Sequence, residues 1–166
     1  MEKGQLYDEF FGQFKREYAS KQGFTIATNS NGKNYLRIGA PASPANSGYH
    51  VGFTDGRRDG TGVDRFRVEV TFSSDYDKSA FDELKSFQKE IEDQIGQSLD
   101  WHRMDGTSQL KSNIRSQVSL YYPEPASIKD ADYLKTNYLH WAVANAARFR
   151  SVLDQYLTNG KMGARK

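Results

Sequence analysis

The spacing of apolar residues predicts an α+β fold. The expected form is a two-layer sandwich, an antiparallel five-stranded sheet with three helices on one face, in the order α-βββ-α-ββ-α. Three observations predict it. Phe66, Val68, Val70 and Phe72 alternate with Arg65, Arg67, Glu69 and Thr71, the period of a strand with one covered face. Past Ser73 the apolar spacing changes to Ala80, Phe81, Leu84, Phe87, Ile91 and Ile95, one stripe of an amphipathic helix. Leu99-Asp100-Trp101 then restores the period of two. Finally, the strand-like stretches are grouped, three before that helix and two after it. Grouped strands with short hairpins pair antiparallel, with one face packed and one wet.

The first helix is expected over Leu6 to Ala19. Leu6, Phe10, Phe14 and Tyr18 recur every four residues and Phe11 widens the stripe. Glu2, Asp8 and Glu9 precede Lys15 and Arg16, the order the helix dipole favours, and Lys21-Gln22-Gly23 ends the segment. Asn29 to Asn34 is a turn. Tyr35 to Ile38 is the first strand, with Leu36 and Ile38 on one face. Gly39 to Gly48, with Pro41 and Pro44, is a loop. Tyr49 to Phe53 is the second strand, with Tyr49, Val51 and Phe53 inward and His50 and Gly52 outward. Asp55 to Gly62 holds the pair Arg57-Arg58 and connects to the third strand, Arg65 to Phe72. These three strands form a meander. Asp75 and Asp77 stand where they can cap the central helix, and Gly96 stands where a left-handed C-cap belongs. Leu99 to Met104 is the fourth strand and Asp105 to Ser108 a turn. Ile114 to Tyr122 is the fifth strand, with Val118 and Leu120 inward and Arg115, Gln117 and Ser119 outward. Pro123 and Pro125 stop it. Asp130 to Leu157 is the longest helix, with its stripe at Leu134, Tyr138, Trp141, Ala142, Asn145, Phe149, Val152 and Tyr156. Gly160 ends it. With no internal repeat and no linker, residues 1–160 are expected to be a single domain and 161–166 a basic flexible tail.

Composition removes several function classes. The chain of 166 residues has no Cys, which excludes disulfides, thiolate metal sites and cysteine nucleophiles. Its net charge of +2 is too small to announce a nucleic-acid binder by itself. The start, Met1-Glu2-Lys3-Gly4, is polar and is not a signal peptide. No apolar run approaches the roughly 18 residues of a membrane span. The expectation is a soluble, cytoplasmic protein with no membrane contact; its oligomeric state is open.

Four strings carry a family resemblance. They are the aromatic helix Tyr7-Asp8-Glu9-Phe10-Phe11; the strand pair Asn34-Tyr35-Leu36 and Gly48-Tyr49-His50; the helix Phe81, Leu84, Gln88-Lys89-Glu90-Ile91-Glu92, Ile95-Gly96 running into Leu99-Asp100-Trp101; and the start Lys111-Ser112-Asn113-Ile114, followed by a last helix with Trp141 and Arg148-Phe149-Arg150. Together they resemble the bacterial domain of unknown function family numbered 4268, often found after restriction-endonuclease-like domains. Against that pattern, no nuclease domain is expected in front of this sequence, and insertions are expected at Pro41 to Asn46 and Arg57 to Val63. The resemblance implies a setting near restriction and defence systems. The implied partner is a nuclease or defence complex, and a phage-encoded inhibitor is one form of this.

No cofactor, metal or catalytic motif stands out. A divalent-metal nuclease needs an Asp followed by Glu-x-Lys on the next strand; Glu69-Val70-Thr71 lacks the Lys, and Asp55, Asp59 and Asp64 look like turn formers. A small metal-dependent nuclease or other hydrolase using these acids is the competing hypothesis. His50, His102 and His140 lie on three separate elements without metal spacing. Asp100 and His102 share the outward parity of an exposed polar pair. The remaining signal is the outward sheet face. Alternation puts Arg37, His50, Arg65, Arg67, His102 and Arg115 on the side opposite the apolar residues, with Glu69 in the same row. Arg103 faces inward by strict alternation, or emerges at the strand end. Lys111 and the Arg57-Arg58 loop can add charge at the edges. Guanidinium groups on a rigid sheet can grip phosphates. The expected function is therefore a non-catalytic interaction domain, docking on a protein partner or on nucleic acid through Arg37, His50, Arg57, Arg58, Arg65, Arg67, His102, Lys111 and Arg115.

Overall fold

The computed structural model describes residues 1–22, 26, 28–40, 47–73, 78–104 and 115–157. In chain order the elements are α1 (Lys3–Gln22), β1 (Tyr35–Gly39), β2 (Ser47–Phe53), β3 (Phe66–Phe72), α2 (Ser79–Lys85), α3 (Gln88–Ile95), β4 (Asp100–His102), β5 (Ser116–Tyr121) and α4 (Asp132–Leu157). The class is α+β. The strands form one open antiparallel sheet in the order β1-β2-β3-β5-β4. The first three strands are neighbours in sequence order, as the alternation predicts. After β3 the chain places β4 at the far edge and returns as β5 to fill the gap.

The helix count differs from expectation, because the central segment is two helices. Ser86 donates its hydroxyl to the Glu83 carbonyl at 2.6 Å, and the Phe87 amide turns back to Leu84 at 3.0 Å. A Ser side chain bonded to the preceding turn competes with the helical ladder, and the next residue departs to φ −101°, ψ 13°. The apolar stripe keeps its phase across the break: Phe81, Leu84, Phe87, Ile91 and Ile95 are all buried. Lys78, at φ 63°, occupies the N-cap of α2 and makes no side-chain capping bond; Asp75 and Asp77 lie outside the described residues. Gly96 is the left-handed C-cap of α3 at φ 82°, its amide bonded to the Glu92 carbonyl at 2.8 Å.

The chain falls into two compact units. The first comprises Met1–Ile38, His50–Val68 and Tyr121–Ala147. Its core is aromatic, because the α1 stripe meets strand residues of the same type. Phe10 packs edge-on against Phe53 at 5.2 Å and Phe66 at 5.5 Å, and Phe66 also meets Trp141 of α4 at 5.8 Å. Edge-to-face pairs of this kind add roughly 0.5–1.5 kcal/mol each beyond their buried area. Tyr138 is buried among these rings and donates its hydroxyl to Asp130 at 2.6 Å. Asp8, on the outer side of α1, anchors the Thr28 to Asn34 turn by accepting from the Ser30 hydroxyl and from the Gly32 amide at 2.7 Å.

The second unit comprises Gly39–Tyr49, Glu69–Leu120 and Arg148–Lys166. Phe81 of α2 meets Trp101 of β4 at 6.2 Å. Phe87 meets Tyr156 of α4 at 4.9 Å, and the Tyr156 hydroxyl bridges Gln94 and Glu90 on α3. Glu92 accepts the Leu99 amide at 2.7 Å, which fixes the turn from α3 into β4. Among the described residues, no helix is long and apolar enough to cross a membrane.

Candidate functional site

Three backbone bonds set the geometry of the outward sheet face in the first unit. Phe53 donates to the Asn34 carbonyl at 2.8 Å, Thr54 to Arg65 at 2.7 Å and Tyr122 to Phe66 at 2.8 Å. In antiparallel pairs these bonds place Tyr35, Gly52, Arg67 and Tyr121 side by side in one row across β1, β2, β3 and β5. The parity is opposite to that of the buried Leu36, Val51, Phe53, Phe66 and Val68, so the row faces away from the aromatic core. Gly52 makes the close approach possible: a Cβ there would lie 2.8 Å from both the Asn34 oxygen and the Tyr35 Cβ.

Charged and aromatic groups surround this row. Arg65 lays its guanidinium over the Tyr121 ring at 4.1 Å and donates to the Tyr122 carbonyl at 3.3 Å, so it is held in one orientation by stacking and by a bond. Arg67 is half-buried and Arg37 is exposed. Tyr35 is 41% exposed, with His50 edge-on to its ring at 5.5 Å and Lys33 at 5.7 Å. The strand segments of this unit, 35–38, 50–53, 66–68 and 121, contain no Asp or Glu.

The loop after β2 carries Arg57 and Arg58, both exposed. Its acids are committed to shaping it. Asp55 accepts the Arg57 amide at 3.0 Å, and this bond chiefly holds its carboxyl below the usual range. Asp59 accepts the Thr61 hydroxyl at 2.6 Å and the Thr61 amide at 2.9 Å; these bonds lower its carboxyl, with a smaller contribution from the charge of Arg67. Asp64 accepts the Gly56 amide at 2.8 Å. The loop closes so tightly that a Cβ on Gly56 would stand 2.2 Å from the Val63 nitrogen.

The second unit presents outward residues of mixed sign. Asp100 opposes Ser119 and His102 opposes Gln117 across β4 and β5; Asp100, His102 and Arg115 are exposed. Glu69 is buried, with the Ser119 hydroxyl 3.5 Å from its carboxylate. Arg103 does face the helices: it forms a two-pronged pair with Asp82 of α2 at 2.9 and 3.0 Å. Arg150 of the basic last helix sits near Tyr49 and Asp154, whose own bond is 2.6 Å. Lys111, the Pro41 to Asn46 insertion and the 161–166 tail lie outside the described residues.

Of the predicted site residues, the first unit therefore brings Arg37, His50, Arg65 and Arg67 onto one face and Arg57 and Arg58 onto one loop. The second unit carries His102 and Arg115. Sequence reasoning passed over Tyr35 and Tyr121 as members of this surface. Their signal was the same period of two: Tyr35 shares parity with Arg37, and Tyr121 with Arg115. The arrangement offers guanidinium donors and aromatic faces for holding a ligand. Among the described residues, no three His, Asp or Glu side chains converge as metal ligands.

A family model described as a domain of unknown function (DUF4268) matches residues 6–157, and the chain belongs to that family. No curated protein and no solved structure matches it.

Proposed function

We propose that this DUF4268 domain is a non-catalytic docking module that grips the phosphate backbone of nucleic acid with the outward face of its first unit. The carrying observation is the placement of Arg37, Arg65 and Arg67 on the outward face, opposite the aromatic core, with Glu69 buried on that face and Asp59 close enough to feel the charge of Arg67. Guanidinium groups on a rigid sheet match the paired oxygens of a phosphate and lose little freedom on binding. The exposed Arg57 and Arg58 add charge from a loop pinned by its own acids. Contacts of this type position a strand without reading its sequence.

A protein partner is the second form of the same docking role. The mixed signs of Asp100, His102 and Arg115 on the second unit favour it, because interspersed charges match another protein surface better than a row of phosphates. The family resemblance makes a nuclease or defence complex the first candidate. The competing hydrolase reading depends on Asp55, Asp59, Asp64 and Glu69; the first three carboxylates are bonded to loop amides and Glu69 is buried.

Fluorescence anisotropy with labelled single-stranded and duplex DNA and RNA tests the proposal. Three phosphate contacts give a log–log salt slope of about −2 on a single strand, a loss of roughly 20-fold between about 50 and 200 mM salt. Absence of binding at low salt refutes the phosphate grip. Metal-dependent cleavage that disappears in Asp64→Ala would establish the hydrolase instead.

A further inference from the structure

We infer that the nucleic acid this face takes is single-stranded, and that one of its bases stacks on the ring of Tyr35. This rests on the phosphate-gripping reading and adds the strandedness of the ligand. The two tyrosines of the row differ in what they leave open. Tyr121 has the Arg65 guanidinium over its ring at 4.1 Å, so that pair is already assembled as a fixed cation. Tyr35 is 41% exposed; His50 meets it edge-on, at an interplanar angle of 84°, and the exposed Lys33 stands over its ring at the longer distance of 5.7 Å. The edge contact covers neither face, and the Lys33 ammonium at 5.7 Å lies beyond stacking contact, so a base stacking on that side displaces it. Gly52, lacking a Cβ, lets the root of the Tyr35 side chain sit hard against the neighbouring strand, and His50 braces the edge of the ring.

The surrounding charges fit a base lying there. Arg37 stands about 7 Å from Tyr35 along β1, and Arg67 about 10 Å from it across the sheet. Lys33 lies 5.7 Å from the Tyr35 ring. A strand with one base on Tyr35 can thus bring its flanking phosphates to cations on either side. A duplex cannot use this platform, because its bases are already stacked on one another and its grooves admit a helix or a two-stranded ribbon more readily than the face of a sheet. Base–aromatic stacking is sequence-tolerant, and it is what distinguishes single-strand sites from general polyanion surfaces.

The test uses the full chain with labelled oligothymidine and a duplex of the same length at one low salt concentration. The single strand is expected to bind more tightly. Tyr35→Ala is expected to weaken single-strand binding by about fivefold to a hundredfold, leaving the duplex affinity and the salt slope unchanged. Tyr35→Phe, which keeps the ring, is expected to bind as the parent does. Tyr35→Leu, which keeps bulk on the strand without a π face, is expected to behave as the alanine variant; its thermal unfolding checks that the fold is intact. Equal affinity for duplex and single strand, or full single-strand binding by folded Tyr35→Leu, overturns this inference and leaves the phosphate grip standing. No binding to either ligand removes both.

Discussion

Replacing Gly52 by Ala measures how tightly β1 is held against β2. The added methyl would stand 2.8 Å from the Asn34 oxygen, 2.8 Å from the Tyr35 Cβ and 3.0 Å from the Tyr35 Cα. Two of these three atoms belong to the β1 backbone or its approach, so no side-chain rotation relieves the clash. The strand itself must move, at the expense of the 2.8 Å bond from Phe53 to Asn34. Overpacking of this kind costs about 1–3 kcal/mol. The alanine also narrows the freedom of the unfolded chain, which returns about 0.4–1 kcal/mol. Taking the middle of each range, the net loss is about 1.3 kcal/mol, a fall in Tm of about 3–5 °C for a chain of this size. Thermal unfolding followed by circular dichroism gives the number. Single-strand affinity should fall with it, because Tyr35 is displaced. An unchanged or raised Tm would show that the two strands have room between them, and the account of Tyr35 as rooted against the neighbouring strand would fail.

The Arg103–Asp82 pair has good two-pronged geometry, but its side chains are 41% and 49% exposed. A double-mutant cycle should therefore return only about 0.2–1 kcal/mol, and a coupling above 2 kcal/mol would contradict this. Tyr138→Phe deletes the partly buried 2.6 Å bond to Asp130 and should cost about 1.5–3 kcal/mol by urea unfolding. Burial, and then the bond to Asp130, raise the Tyr138 phenol above its ordinary 10.0. A raised folded value means stability is complete below pH 10 and declines as pH climbs toward the folded value; Tyr138→Phe should flatten that decline, and an unaltered alkaline slope would count against the bond. Asp8 has the opposite sign: bonds from Ser30 and then Gly32 lower its carboxyl below 3.8. The stability it supplies is present above pH 3.8 and lost as pH falls through the folded value, so Asp8→Asn should shallow the acid side of the stability profile, and an identical acid profile would refute the anchoring role.

What the sequence determined by itself was the sorting of residues onto faces. Period-two alternation placed Phe66, Val68 and Val70 in the core and Arg65 and Arg67 opposite, and period-3.6 spacing placed the stripes of α1, α3 and α4. Both follow from local backbone geometry, which any short window of chain expresses. The left-handed cap at Gly96 was legible for the same reason. Pairing between distant segments has no local signature, and that is where the tertiary structure decided. It inserted β5 between β3 and β4. It buried Glu69 and Ser119 on the polar face, set Tyr35 against Gly52 and laid Arg65 on Tyr121. The Ser86–Phe87 break leaves no mark in the periodicity because Ser86 keeps helical torsions and the single departure at Phe87 preserves the phase of the stripe. A periodicity reports which way a side chain points; only the closed register of the sheet reports what it meets.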